Sequence, residues 1–186
     1  MKTTWLILAL CAMIAGIALF SNNLMGDKKM DANLQNMLDE RDVINVVNSI
    51  GIEADRRNWN EVQNAFADNV LLDYSSMGAP IETLKPAQIV ASWKTILPGF
   101  KATQHSITNH QVTIRDSEAD CFSYVTALHY LPNRSKADVW RVVGSYEHHL
   151  IKTRNGWRVD RVKLTAKIID GNLELPKLAA TAVAQR

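Results

Sequence analysis

Apolar residues at Leu38, Val43, Val46, Val47, Ile50 and Ala54 recur mostly at three- and four-residue steps, with polar and charged residues between them. That period lays one apolar stripe along an α-helix, which the pair Arg57-Asn58 ends. Gly51 interrupts the stripe at a cost of about 1 kcal/mol relative to Ala. Trp59, Val62 and Phe66 share one side of a short second helix, Asp68-Asn69 reads as a turn, and Val70 to Tyr74 as a strand. A Gly- and Pro-containing loop over 75–84 leads to Pro86, which suits the first turn of a third helix that Pro98-Gly99 stops. After Phe100 the chain turns rich in Thr, Val and Ile. It reads as four long strands over 101–115, 121–131, 139–153 and 157–169, the last two joined by an Asn155-Gly156 hairpin. The Ala-rich tail from Gly171 has few bulky residues and is expected to be frayed or loosely docked. Helices, strand, helix and then four antiparallel strands predict an α+β fold: a curved, mostly antiparallel sheet packed against about three N-terminal helices. The interior of such a cone is a natural place for a small ligand.

The first 26 residues follow a different pattern. Lys2 precedes an uncharged apolar run from Trp5 to Phe20, and small residues Ala15, Gly16 and Ala18 lie near its end. This is the form of a secretory signal peptide; an uncleaved N-terminal anchor, tethering the chain to a membrane through residues 5–20, is the alternative. Either reading places the domain outside the cytoplasm, exported to the periplasm or membrane-anchored. The expected organisation is a leader over 1–26, a connector over 27–35, one domain over 36–170 and a tail over 171–186.

Composition narrows the function. Apolar residues make up 47% and charged residues 22% of the 186, which supports a packed core. The net charge is +2 and the basic residues are scattered, so nucleic-acid binding is not expected. Cys11 lies in the leader, which leaves Cys121 without an internal partner and reads it as a small buried hydrophobe.

Candidate chemistry lies in the order Asp55, Tyr74, His105: a carboxylate near a helix end, a tyrosine on the next strand and a histidine opening a long strand. Converging on one pocket, these take a proton from carbon and steady the resulting charge without a cofactor. Imidazole exchanges protons near neutral pH, and a carboxylate on its other nitrogen fixes the tautomer. The competing reading makes His105 an ordinary strand histidine, Asp55 a helix cap and Tyr74 a sheet-edge tyrosine. His148 and His149 are adjacent on a strand and point to opposite faces, so their two rings do not easily share one ion; a site built from His110, His129 and one of this pair is the alternative, but no zinc spacing exists and no metal is expected. Tyr146 and Glu147 likewise point opposite ways, and whichever faces inward lines the pocket. Trp59, Trp93, Trp140 and Trp157 are read first as core or interface residues, with Trp93 also a candidate for the substrate-facing wall.

The runs Asp55-Arg56-Arg57-Asn58-Trp59, Phe66-Ala67-Asp68-Asn69-Val70, Leu72-Asp73-Tyr74 and Asn155-Gly156-Trp157-Arg158-Val159 together resemble the NTF2-like superfamily, in its SnoaL-like branch, over about residues 36–170. Within it the chain looks most like the scytalone dehydratase family, whose members remove water from a cyclic hydroxyketone with no cofactor. The resemblance carries that family's aspartate, strand tyrosine and Thr-Gln-His histidine onto Asp55, Tyr74 and His105, and a second pocket histidine onto His129. It implies catalytic roles for all four. The family's tyrosine before the aspartate is Ala54 here, and its pocket asparagine falls near Glu147. The expectation is therefore a cofactor-independent lyase or isomerase acting on a small apolar or cyclic substrate. The alternatives are a non-catalytic small-molecule carrier and a dimerisation module on the same fold. Apolar residues on both faces of the last strands (Val142, Val143, Leu150, Ile151, Val162 and Leu164) lead us to expect a homo-oligomer, dimer or trimer, under any of these readings.

Overall fold

The computed structural model describes residues 30–185. The leader and the start of the connector lie outside them. Among the described residues no helix is long and apolar enough to cross a membrane. Two units separate after Asp39. Residues 30–39 are helical, and the second unit, Glu40–Arg186, carries the domain.

Within the second unit helix α1 covers 40–56, and Val43, Val47, Ile50 and Ala54 are its buried stripe, as the sequence period predicts. It ends in a left-handed cap at Arg57 (φ 64°). There Asn58 N–H reaches Glu53 O at 2.9 Å and Arg57 N–H reaches Ala54 O at 3.1 Å. That bond pattern closes a helix with a residue in the left-handed region, a place glycine usually fills. Helix α2 (Trp59–Asn64) follows. Strand β1 (Phe66–Asp73) is longer than expected: Asp68 and Asn69 form no turn but sit exposed where the pairing register shifts between Phe66 and Leu71. Part of the expected 75–84 loop is strand β2 (Ile81–Leu84), paired antiparallel with β1. Helix α3 (Pro86–Lys94) starts at its proline and buries Ile89 and Val90, and a 3-10 turn at Leu97–Gly99 ends the helical layer.

Strands β3 (Ala102–Arg115), β4 (Glu118–Tyr130), β5 (Val139–Thr153) and β6 (Gly156–Gly171) form the predicted antiparallel run. The sheet order is β2-β1-β6-β5-β4-β3, with β1 and β6 parallel and every other pair antiparallel. β4 alternates strictly: Ala119, Cys121, Ser123, Val125, Ala127 and His129 point in, and Tyr124 and Leu128 point out. The inner face meets α1 to α3 in one core. Cys121 is a free, buried thiol in that core, and burial pushes its pKa up to about 11, so it packs and does not react. Of the six residues expected on both faces of the last strands, Val142, Leu150, Val162 and Leu164 are buried, and Val143 and Ile151 lie half-buried on the outer side.

The tail corrects the sequence expectation. Leu175–Ala184 is helix α4, and Leu175 and Ala179 are fully buried beside Phe100. It docks so closely that a Cβ on Gly99 would overlap the Ala179 carbonyl. Leu175, Ala179 and the bare Gly99 hold it, with Ile96, Leu131 and Trp140 packed around that cluster, and a single i, i+4 pair of buried residues does not stand out in an Ala-rich tail.

Candidate active site

The end of α1 lies against the start of β3. Gly51 and Asp55 are one turn apart, so both face that strand. A Cβ on Gly51 would lie 3.0 Å from His105 Cβ and 3.3 Å from Ile107 Cδ1. Glycine thus lets the helix approach closely enough for the next turn to deliver Asp55 to His105, which accounts for the residue that weakens the helix pattern. Gly51→Ala adds helix propensity but pushes His105 away by a few tenths of an ångström. A fall in turnover of about tenfold with little change in melting temperature is the expected result of kinetics and a thermal melt on the variant.

Asp55 is held on both oxygens. Oδ1 accepts from His105 Nδ1 at 2.8 Å and from Thr103 Oγ1 at 2.7 Å, and Oδ2 accepts the His105 backbone N–H at 2.7 Å. β3 is an edge strand, so alternate N–H groups point away from β4 and are open to such a partner. Burial opposes ionisation of Asp55, but the bonds from His105 and Thr103 outweigh it and hold the carboxyl below its ordinary range. An ionised Asp55 can only accept, so His105 Nδ1 carries the proton and a neutral ring keeps its lone pair on Nε2.

Arg57 was not singled out from sequence, although it lies inside a quoted run. Its Nη1 donates to Thr103 Oγ1 at 2.9 Å and to Ala54 O at 2.6 Å, and its Nη2 donates to Leu97 O at 2.6 Å. The guanidinium ties the helix end, β3 and the Leu97 turn together behind Asp55. A non-glycine residue in the left-handed region costs on the order of 1 kcal/mol or more, and these bonds offset it. Arg57→Met is expected to lower stability by about 2 kcal/mol in urea titration, with partial recovery in Arg57→Lys.

His105 forms part of the wall of a cavity of about 380 Å³ between the inner sheet face and the helices. His129 lies beside it, ring centroids 5.6 Å apart and nearly perpendicular. It is enclosed by Trp140 at 4.4 Å and Phe100 at 5.0 Å. Burial first, then the neighbouring His105, depress the His129 pKa to about 4, so it is neutral at pH 7. Tyr74 and Tyr146 line the same cavity and share a hydrogen bond. Burial raises both phenols, and the bond raises Tyr74 further while easing Tyr146. One bond between two hydroxyls uses one of their two protons, so the pair keeps the other for a ligand. Trp93 is also in the wall.

Of the sequence candidates, Glu147 falls outside the site. Tyr146 takes the inward position, and Glu147 lies on the outer face, 3.7 Å from Lys163. His148 is buried in the cavity wall, while His149 faces outward on Asp160 at 2.6 Å. His148 as a cavity group was not read from sequence, although its alternation with His149 was. Among the described residues the wall contains no lysine or arginine, and Glu82 is its only carboxylate.

A family model described as the SnoaL-like domain matches residues 35–163. The chain belongs to the SnoaL-like family. No curated protein matches it. Among solved structures, this SnoaL-like chain is similar to the Kfla4162 protein of Kribbella flavida at 28% identity and TM-score 0.70, the match covering 80% of this chain and 99% of that one. It is also similar to a candidate scytalone dehydratase of Novosphingobium aromaticivorans, at 20% identity and TM-score 0.61 over 77% and 91% of the two chains. The LinA-type3 hexachlorocyclohexane dehydrochlorinase of Novosphingobium barchaimii matches at 12% identity and TM-score 0.64, over 76% and 94%. These likenesses show the NTF2-like fold shared by the SnoaL-like family.

Proposed function

We propose that this protein is a cofactor-independent lyase or isomerase that removes a proton from carbon in a small, uncharged, mostly apolar substrate. The observation that carries the reading is the Asp55–His105 pair, 2.8 Å apart, with the His105 ring in the wall of an apolar cavity. His105 Nε2 takes a proton alpha to a carbonyl, and Asp55 stabilises the imidazolium that forms. The electron pair of the broken C–H bond moves toward the carbonyl as an enolate, which the free hydroxyl proton of the Tyr74–Tyr146 pair stabilises by donation to its oxygen. In a dehydration the pair then forms a C=C bond as the C–O bond breaks, and the departing hydroxide takes the proton from His105 to leave as water. Neutral His129, its N–H held by the Trp140 backbone, packs beside the base and leaves that proton transfer to His105. A wall without basic side chains favours an uncharged ketone or hydroxyketone over a carboxylate. That a dehydratase and a dehydrochlorinase share the fold agrees with elimination chemistry on this scaffold.

The test is exchange of the alpha protons of 2-tetralone, a cyclic ketone, and of cyclic hydroxyketones in D₂O, followed by NMR. Exchange that depends on His105 supports the reading; exchange no faster than in buffer across the set sinks it.

The outer face favours a homodimer in addition. Tyr124 (46% exposed), Leu128 (38%) and Ile168 (52%) are exposed there near Val143, with Thr126, Arg141 and Lys167 interspersed among them. Pairing of two copies through this face would bury them. Sedimentation of Leu128→Lys and Ile168→Lys variants as monomers, against a dimeric parent, is the expected outcome.

A further inference from the structure

We propose that Thr103 is a positioning residue for the proton abstraction: its hydroxyl, aimed by Arg57, fixes the Asp55 carboxylate against the His105 ring and so keeps the base in its working tautomer. The proposal rests on the reading of Asp55 and His105 as the reacting pair.

Thr103 and His105 are two residues apart on β3, so their side chains share one face of the strand. Thr103 Oγ1 lies 2.7 Å from Asp55 Oδ1 and 2.9 Å from Arg57 Nη1. The groups themselves settle the direction of both bonds. A guanidinium has donors and no acceptor, and an ionised carboxylate accepts and cannot donate. Arg57 therefore donates to Thr103, and the single hydroxyl proton of Thr103 goes to Asp55. The cation behind the hydroxyl also polarises it, which strengthens the bond it makes in turn.

The other two bonds to Asp55 both come from His105, from its ring to Oδ1 and from its backbone N–H to Oδ2. The backbone donor is fixed, but the ring turns about its own side-chain bonds. With the backbone bond as a hinge, carboxylate and ring would swing together. Thr103 is the donor to Oδ1 from outside His105, and it stops that swing. Arg57 in turn is anchored independently of Asp55, by Nη1 on Ala54 O at 2.6 Å and Nη2 on Leu97 O at 2.6 Å. Loss of the Thr103 hydroxyl leaves Arg57 both backbone bonds, so the end of α1 stays closed. Valine resembles threonine in shape and suits a strand equally, so Thr103→Val removes the hydroxyl and little else. Thr103 and Arg57 stand behind Asp55 and are not among the residues that line the cavity. Their effect thus belongs in kcat and not in KM.

Two readouts on the full chain test this. A His105 Nδ1 proton held by a carboxylate should give a low-field line in the proton NMR spectrum, assigned by its loss in His105→Gln. In Thr103→Val that line should exchange with water about tenfold faster, and in Thr103→Ser, which keeps the hydroxyl, it should match the parent. His149 Nδ1 lies 2.6 Å from Asp160 on the outer face, and its own line should not respond to either change. In alpha-proton exchange of the cyclic ketones, Thr103→Val should lower kcat about tenfold with KM within about twofold, and Thr103→Ser should recover about half of the parent rate or more. If Thr103→Val does not melt cooperatively, Thr103→Ala serves in its place. No His105 line in the parent, an unchanged line in the folded Val or Ala variant, or no recovery in Thr103→Ser overturns the proposal. A parent that exchanges no ketone sinks the proposed function, and the NMR comparison still decides this inference. An active parent whose Val variant keeps both its line and its kcat sinks this inference alone.

Discussion

His105→Ala is expected to lower the rate of alpha-proton exchange by at least about 10³-fold, to near the buffer rate, while the variant still melts cooperatively. The ring supplies the base, and among the groups in the cavity wall it alone has a carboxylate on its second nitrogen. Asp55→Asn should come within about tenfold of that loss, for a geometric reason. Two faces of the carboxylate are occupied by donors: the His105 backbone N–H on Oδ2, which cannot reorient, and His105 Nδ1 with Thr103 on Oδ1. An asparagine has one oxygen. If that oxygen serves the backbone, its NH₂ faces Nδ1, the ring proton moves to Nε2, and the lone pair points away from substrate. If it serves Nδ1, the NH₂ collides with the backbone N–H. A kcat for Asp55→Asn within threefold of the parent would show that the pair is only structural.

The second large effect is on stability in mild acid. An unfolded histidine binds its proton near pH 6.5, whereas His129 does so at about pH 4 and His148 at about pH 3 in the fold. Between those values the unfolded chain holds more protons, so stability falls as pH falls. The contribution is fully present above pH 6.5 and is lost on the way down to about pH 4 for His129 and about pH 3 for His148. Asp55, with its pKa lowered in the fold, acts in the same sense only below its ordinary range. One pKa unit is about 1.4 kcal/mol, so the two rings together remove roughly 3–5 kcal/mol between pH 6.5 and 4.5. Urea titrations at pH 7.5 and 4.5 should show this loss, and His129→Phe should show about half of it. An equal loss in that variant would mean that other groups cause the acid sensitivity.

The order Asp55, Tyr74, His105 was legible because a helix end, the exit of a strand and an edge strand carry them, although Tyr74 lies one residue past β1, at the cap of a 3-10 turn, and not on the strand itself. The pairing of strands over 102–171 was legible from Asn155-Gly156 and from the length of the apolar runs. Other features depended on parity or depth, which one-dimensional patterns leave open. Tyr146 and Glu147 differ in face, and only the register of β5 against β4 decides between them. Asp68 and Asn69 carry turn chemistry yet form a register shift inside a strand, because β1 must follow β6 on one side and β2 on the other. Arg57 gives no signal of its own: its role depends on a left-handed backbone that its residue type disfavours. Helix α4 is anchored by Leu175, Ala179 and the absence of a side chain at Gly99, none of which reads as a stripe.

The bond from the His105 backbone to Asp55 has a consequence for how the protein behaves in concentrated solution. An unpaired edge N–H is a template on which another chain can add a strand. Asp55 occupies that donor, and the end of α1 covers the stretch around it. The carboxylate that orients the base thus also blocks growth from the edge of the sheet. Removing it should therefore compromise solubility as well as turnover, and Asp55→Ala preparations are the ones in which edge-to-edge aggregation will limit yield.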